Sequence, residues 1–211
     1  MINQDLYGEP ENNILGSASY KVTHTCKNGR GVYSFCMCPG GYVVNASSEQ
    51  GLLAVNGMSY QARDGENANS AMIVTVTPED FPEKGTLGGI AFQRSLEKKA
   101  WELGKGKVPV QLFGDFCAHQ PSSQLGEIHP NIKGGYVLTD VRSILPKELG
   151  DSIEEGIFAF GKKLSGFDRK DAVLSGIESR TSSPVRLVRD QKGLSNITCL
   201  LYTSQSPRDR G

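Results

Sequence analysis

The spacing of apolar residues in this chain changes period partway along. Up to Pro78 they gather in short β-branched and aromatic runs bounded by glycine and asparagine turns, which is the pattern of strands. Tyr20–Val22 and Gly31-Val-Tyr-Ser-Phe-Cys-Met-Cys38 come first, and the second stops at Pro39-Gly40-Gly41. Tyr42-Val-Val44 then resumes, so the two runs flanking the turn are expected to form a hairpin. Leu52–Val55 ends at Asn56-Gly57, a hairpin-turn signal, and Ala71–Thr77 is the strongest strand of the set.

Beyond Pro78 the period becomes helical. Phe92, Leu96, Ala100 and Leu103 recur on one face with Glu97, Lys98, Lys99 and Glu102 between them, and Gly104 follows. Leu149, Ile153, Ile157, Phe160 and Leu164 repeat the pattern between Pro146 and Gly166. Ala172–Glu178 and Val185–Val188 return to strand character. Strands, helix, strand, loop, helix, strands is an α+β order without the βα alternation of a doubly wound fold. The expected architecture is a mixed or antiparallel sheet, shaped like a partial barrel, with two main amphipathic helices.

Composition narrows the function classes. The 23 Lys+Arg equal the 23 Asp+Glu, so no basic field exists for phosphates or an anionic bilayer, and neither nucleic acid nor membrane is an expected partner. The N-terminal stretch Met1–Asp5 has no basic and apolar leader, and no apolar run is long enough to cross a membrane. A cytoplasmic location is the default expectation. Cys26, Cys36, Cys38 and Cys117 show no Cys-x-x-Cys pair, and no histidine lies at metal spacing, so no metal site is expected. Glycine numbers 25 in 211 residues, above the usual share of about 7%, so many backbone positions need positive φ or close approach.

Three segments carry candidate chemistry. In Ser34–Gly41, alternation would place Cys36 and Cys38 on one face, just before a Pro39-Gly40-Gly41 turn whose N–H groups can approach a ligand. Such a segment can wall a planar cofactor, and buried thiols beside an ordinary turn are the plainer alternative. Redox use of the thiols ranks below both, because the motif holds no Lys or Arg to lower a thiol pKa. The loop Arg63–Ser70 offers Arg63, Asn67 and Asn69 for a substrate carbonyl or carboxylate, or else simply Asx turns and strand caps. Arg180-Thr181-Ser182-Ser183-Pro184-Val185-Arg186 places two guanidinium groups around three hydroxyls, suited to an anion or flavin edge or to a plain surface loop. No Gly-x-Gly-x-x-Gly follows a strand, and no phosphate loop or nucleophile elbow occurs.

Taken in order, Leu15–Lys21, Val32–Gly41, Asn56–Met58, Ala62–Ala71, Gly114–Phe116 and Ile177–Arg186 resemble a family of bacterial FAD-dependent oxidoreductases, the FAD-utilising dehydrogenases. The resemblance covers about residues 7–198 and implies a domain inserted into an adenine-dinucleotide fold, where it covers the flavin. It further implies that Cys36, Cys38, Pro39, Gly40, Gly41 and Arg180, Thr181, Ser182, Ser183 face the isoalloxazine and substrate cavity. Arg63, Asn67, Asn69 and Arg186 are the residues assigned to substrate, a small molecule.

The family's glycine-rich dinucleotide fingerprint is absent from this chain. Residues Cys199–Gly211 resemble translated transposase-adaptor DNA, with Gln205 where that translation has Pro. The expected organisation is therefore a fragment: a flavoprotein cap domain over 1–198 and a non-native tail over 199–211. Its partner would be the dinucleotide-binding region of the same parent. FAD would belong to the intact parent and bind this fragment weakly, because pyrophosphate needs glycines and a helix N-terminus. The rival expectation is a non-catalytic ligand-binding or interaction module.

Overall fold

The computed structural model describes residues 21–180. Nine strands form within that span: β1 (Lys21–Thr25), β2 (Gly31–Cys38), β3 (Gly41–Asn45), β4 (Val55–Ser59), β5 (Asn69–Val74), β6 (Val108–Leu112), β7 (Ile132–Lys133), β8 (Tyr136–Leu138) and β9 (Val173–Ser175). The helices are α1 (Gly88–Gly104), α2 (Phe113–Cys117) and α3 (Lys147–Gly161), with single 3₁₀ turns at Pro78–Asp80 and Val141–Ile144. The class is α+β, as the change of period requires.

The strands divide among three three-stranded sheets, in the orders β1-β2-β5, β4-β3-β7 and β8-β6-β9, and no closed barrel forms among the described residues. The first is antiparallel throughout, and the other two are mixed: β3 runs parallel to β7, and β6 runs parallel to β8 but antiparallel to β9.

The expected hairpin across Pro39-Gly40-Gly41 does not form. A strand has two edges, and both edges of β2 are already paired, with β1 and with β5. A bulge between Phe35 and Cys38 bends the end of β2, and β3 leaves the turn to open a different sheet with β4 and β7. Asn56-Gly57 likewise makes no turn. Both residues lie inside β4, opposite Val44 and Val43, and the actual strand starts at Val55, where the sequence pattern would end one.

The largest core lies where α1 crosses the third sheet. Phe92, Leu96 and Ala100 on the predicted apolar face of α1 meet Val108 and Val110 of β6, joined by Leu53, Val55, Val141, Ile144 and Leu149. Burying each of the larger side chains contributes roughly 1.5–3 kcal/mol. Helix α3 buries Leu149, Ile157 and Phe160, as its period demands. It lies very close to β2 at Gly156, where a Cβ would fall 2.5 Å from Val32 Cγ1. A mid-helix glycine costs about 0.5–1 kcal/mol, offset here by helix-on-strand packing that a larger residue would prevent.

Buried Arg142 ties these layers together. Its guanidinium donates to Asp151 Oδ1 (2.5 Å), Glu154 Oε2 (2.7 Å) and the Phe116 carbonyl (3.1 Å), and it lies over the Phe116 ring. The Arg142 backbone N–H donates to Gln111 Oε1, while Gln111 Nε2 donates to the Gln120 carbonyl. Burial of these polar groups is sustained because each has partners. No helix among the described residues is long and apolar enough to cross a membrane.

Candidate functional site

The bulge that ends β2 sets the conformation of the first motif. Cys36 takes a left-handed backbone, φ 63°, so the regular alternation that would align the two thiols is broken. Cys36 is exposed and Cys38 is half-buried. A non-glycine residue in this region costs of order 1–3 kcal/mol, a strain that gathers at functional sites. Arg63 is also left-handed, at φ 51°.

These two strained positions belong to segments in direct contact. Gly40, at φ 55°, lies so close to the Arg63–Asp64 peptide that a Cβ would overlap the Arg63 carbonyl and sit 2.7 Å from the Asp64 nitrogen. On the other side, a Cβ at Gly65 would lie 2.6 Å from the Gly40 oxygen. The Gly41 N–H donates to the Asn67 carbonyl at 2.6 Å. Gly40 and Gly41 thus let the Arg63–Asn69 loop pack against the turn, and the first two motifs become one unit.

The two asparagines brace that unit. Asn69 lies across Gly41 and Gly57, at both of which a Cβ would collide with its carboxamide, and its Nδ2 donates to the Tyr42 carbonyl at 3.2 Å. Asn67 Nδ2 donates to the His129 carbonyl at 2.6 Å, and Asn131 Nδ2 donates to the Gly41 carbonyl at 3.3 Å. Arg63 remains exposed at the rim. Beside it, Tyr42 and Tyr60 meet edge to face at 5.3 Å, with Lys133 Nζ 4.3 Å from the Tyr42 ring centre.

The chain after β9, Ile177–Ser179, is tied to β4 and α1. After β9 the Ile177 carbonyl accepts from the Val55 N–H of β4 at 2.9 Å, and the Ser179 hydroxyl donates to Glu97 Oε1 at 2.6 Å. Glu97 is fully buried on α1 and also accepts from Gln93 Nε2. Between these anchors stands Glu178, whose carboxyl is pushed up by the protein around it. The Cys38 thiol is raised as well, chiefly by burial and then by Cys36 and Glu178, with Arg63 opposing. Cys38, Arg63 and Glu178 therefore share one electrostatic neighbourhood although they are distant in sequence. Glu178 was absent from the expected site residues, and only its place inside the Ile177–Arg186 motif marked it.

Arg180 is exposed and opens a second structural unit, Arg180–Gly211. Thr181, Ser182, Ser183, Arg186 and the 199–211 tail lie outside the described residues.

The family model described as "FAD-dependent protein, C-terminal domain-like" matches residues 1–181, and the chain belongs to that family. An uncharacterized protein of Clostridium beijerinckii (strain ATCC 51743 / NCIMB 8052) is 50% identical over 206 residues, covering 96% of this chain and 39% of that protein. The chain thus spans about two fifths of that relative's length.

Whether these residues suit FAD can be tested on the backbone. Among the described residues, β6 runs directly into α2 at Leu112–Phe113 with no glycine loop between them, and α2 is only 5 residues long. The space beside Gly40, Gly41, Gly57 and Gly65 is filled by protein atoms. The β6–α2 junction and these four glycines therefore form no pyrophosphate cradle, and no chemical step through FAD follows from them.

Proposed function

We propose that this chain is the part of a FAD-dependent oxidoreductase that covers the flavin and shapes the substrate cavity, the dinucleotide being held by a region of the parent outside this chain. Bound flavin would supply the hydride chemistry, while this chain would orient a small-molecule substrate and exclude water. The observation that carries the reading is the interlocking of Cys36–Gly41 with Arg63–Asn69, with strained backbone at Cys36 and Arg63 and with Glu178 in the electrostatic neighbourhood of Cys38. Membership in a family named for FAD dependence supports it.

Within this reading Arg63 is the ligand-facing cation, placed to fix a carbonyl or carboxylate. Asn67 and Asn69 hold the loop that presents it, since each carboxamide already donates to a main-chain carbonyl. Cys38, kept as a neutral thiol, and Pro39 to Gly41 form a low-polarity wall. Arg180 to Ser183 are assigned to the flavin and Arg186 to the substrate on the strength of the sequence resemblance alone.

The test is the flavin absorbance of purified proteins: the whole Clostridium relative, its segment matching this chain, and this chain. Flavin that copurifies with the whole relative and with neither shorter protein is the expected result. Arg63→Ala, made at the matching position of the relative, should then raise KM for substrates found by screening while flavin content holds. Flavin in none of the three proteins would overturn the reading in favour of a ligand-binding or interaction module.

A further inference from the structure

Elsewhere in the fold, the outer end of β1 meets α3. Strand alternation turns Val22 and His24 inward, and Cys26 follows in the same phase, buried in the turn after the strand. Glu155 reaches the same point from α3. His24 Nε2 lies 3.0 Å from Glu155 Oε1, and the ligating atoms of His24, Cys26 and Glu155 all lie within 4.8 Å of one another. A hydrogen bond joins the histidine and the carboxylate, while Cys26 belongs to the apolar cluster of Val32 and Phe160 and brings its thiol to the border of that cluster beside them.

We propose that His24, Cys26 and Glu155 form a binding site for a borderline-soft divalent transition ion of the zinc type. Imidazole nitrogen, thiolate sulfur and carboxylate oxygen are the donors such ions take, whereas calcium and magnesium demand oxygen alone. Metal–ligand bonds of about 2.0–2.3 Å in a tetrahedron put donor atoms roughly 3.3–3.8 Å apart. The three donors, all within 4.8 Å of one another, need only small side-chain adjustments to reach that spacing.

The surroundings hold the donors in place. The Lys27 N–H donates to both Glu155 oxygens, at 3.1 and 3.3 Å, and Asn28 Nδ2 donates to Ser152 Oγ at 2.9 Å. Cys26 closes a tight turn through its own N–H to the Arg30 carbonyl. The thiol now points at the Ser152 carbonyl, 3.4 Å away, and is free to exchange that weak contact for a metal bond. The side chains of His24 and Glu155 are each 31% exposed, which leaves an entry path and room for water as a fourth ligand. Binding replaces waters of the hydrated ion with one metal–sulfur, one metal–nitrogen and one metal–oxygen bond, breaks the His24–Glu155 hydrogen bond, and releases to solvent the Cys26 thiol proton and, from a protonated His24, the imidazolium proton. No electron is transferred.

The test is a titration of the full 211-residue chain, stripped with chelator, using cobalt(II) as the probe. One equivalent should produce visible tetrahedral bands and a thiolate-to-cobalt charge-transfer band, both erased by zinc. Cys26→Ser should lose the charge-transfer band, and Cys36→Ser/Cys38→Ser should keep it. Glu155→Gln retains an acceptor for the Lys27 N–H, so it should fold even where Cys26→Ser does not, and should weaken binding at least tenfold. No cobalt band in the unaltered chain, a band that survives Cys26→Ser, or undiminished affinity in Glu155→Gln would each overturn the site.

Discussion

Replacing Gly40 by Ala tests whether protein atoms fill the space at the Gly-Gly turn. Two effects of the methyl group can be separated. The left-handed backbone, φ 55°, costs an alanine roughly 1–2 kcal/mol wherever it occurs. The second effect is local: the new Cβ meets the Arg63 carbonyl and the Asp64 nitrogen, which are backbone atoms and cannot rotate away. Overpacking of this kind typically costs about 1–3 kcal/mol. Gly51 supplies the control, since it is left-handed at φ 77° and has nothing within 4 Å of its Cβ position. Gly51→Ala should therefore lose roughly 1–2 kcal/mol and Gly40→Ala roughly 2–5 kcal/mol, the difference measuring the clash alone. For a chain of this size that difference corresponds to a further fall in Tm of roughly 2–12 °C. Urea unfolding of the two variants beside the parent chain measures it, and limited proteolysis should show earlier cleavage between Arg63 and Asn69 in Gly40→Ala. Equal losses in the two variants, within about 0.5 kcal/mol, would refute the contact between the turn and the loop.

Asp80 accepts two hydrogen bonds from the Arg30 guanidinium, at 2.6 and 2.8 Å, which together with the Thr77 N–H holds its carboxyl below the ordinary range. A carboxyl lowered by folding stabilises the protein above its unfolded pKa, near 3.9, and loses that share as pH falls toward the folded value. The stability gap between the parent chain and Asp80→Asn should thus hold from pH 7 to about pH 4 and shrink below it. A gap already closing at pH 6, or constant to pH 2, contradicts the ion pair. The Cys117 thiol is pushed up to about 11, mainly by burial and next by the charge of Glu154, so it ionises only as pH climbs far above neutral. At pH 8 about one such thiol in a thousand is thiolate, and iodoacetamide should label exposed Cys36 at least tenfold faster than Cys117 in site-resolved mass spectrometry. Comparable rates at the two sites would show that the burial of Cys117 is misplaced.

Local chemistry alone was enough for the class and the main elements. The apolar faces of α1 and α3 are written at helical spacing, and the β-branched run of β2 coincides with its strand, because each pattern matches the period of a single element. The short strands β7 and β8 carry too few residues for a period to register. Pairing was not legible either. Gly31–Cys38 and Tyr42–Val44 look like a hairpin because the turn chemistry between them is local, but which strand occupies an edge is settled by the whole chain.

The site divides the same way. Its first two motifs stood out in sequence as unusual densities of Gly, Cys, Arg and Asn, and the resemblance tied them to a flavoprotein family. What the glycines were for could be decided only in three dimensions, since Gly40 and Gly41 make room for Arg63 and Asn69 rather than for an open surface. Glu178 acquires its raised carboxyl from desolvation, and Glu155 its place beside His24 and Cys26 from the packing of segments more than 100 residues apart. Residue type and spacing determine which element a segment favours. Burial and long-range proximity, which set the charge state and partners of a side chain, exist only once those elements have packed.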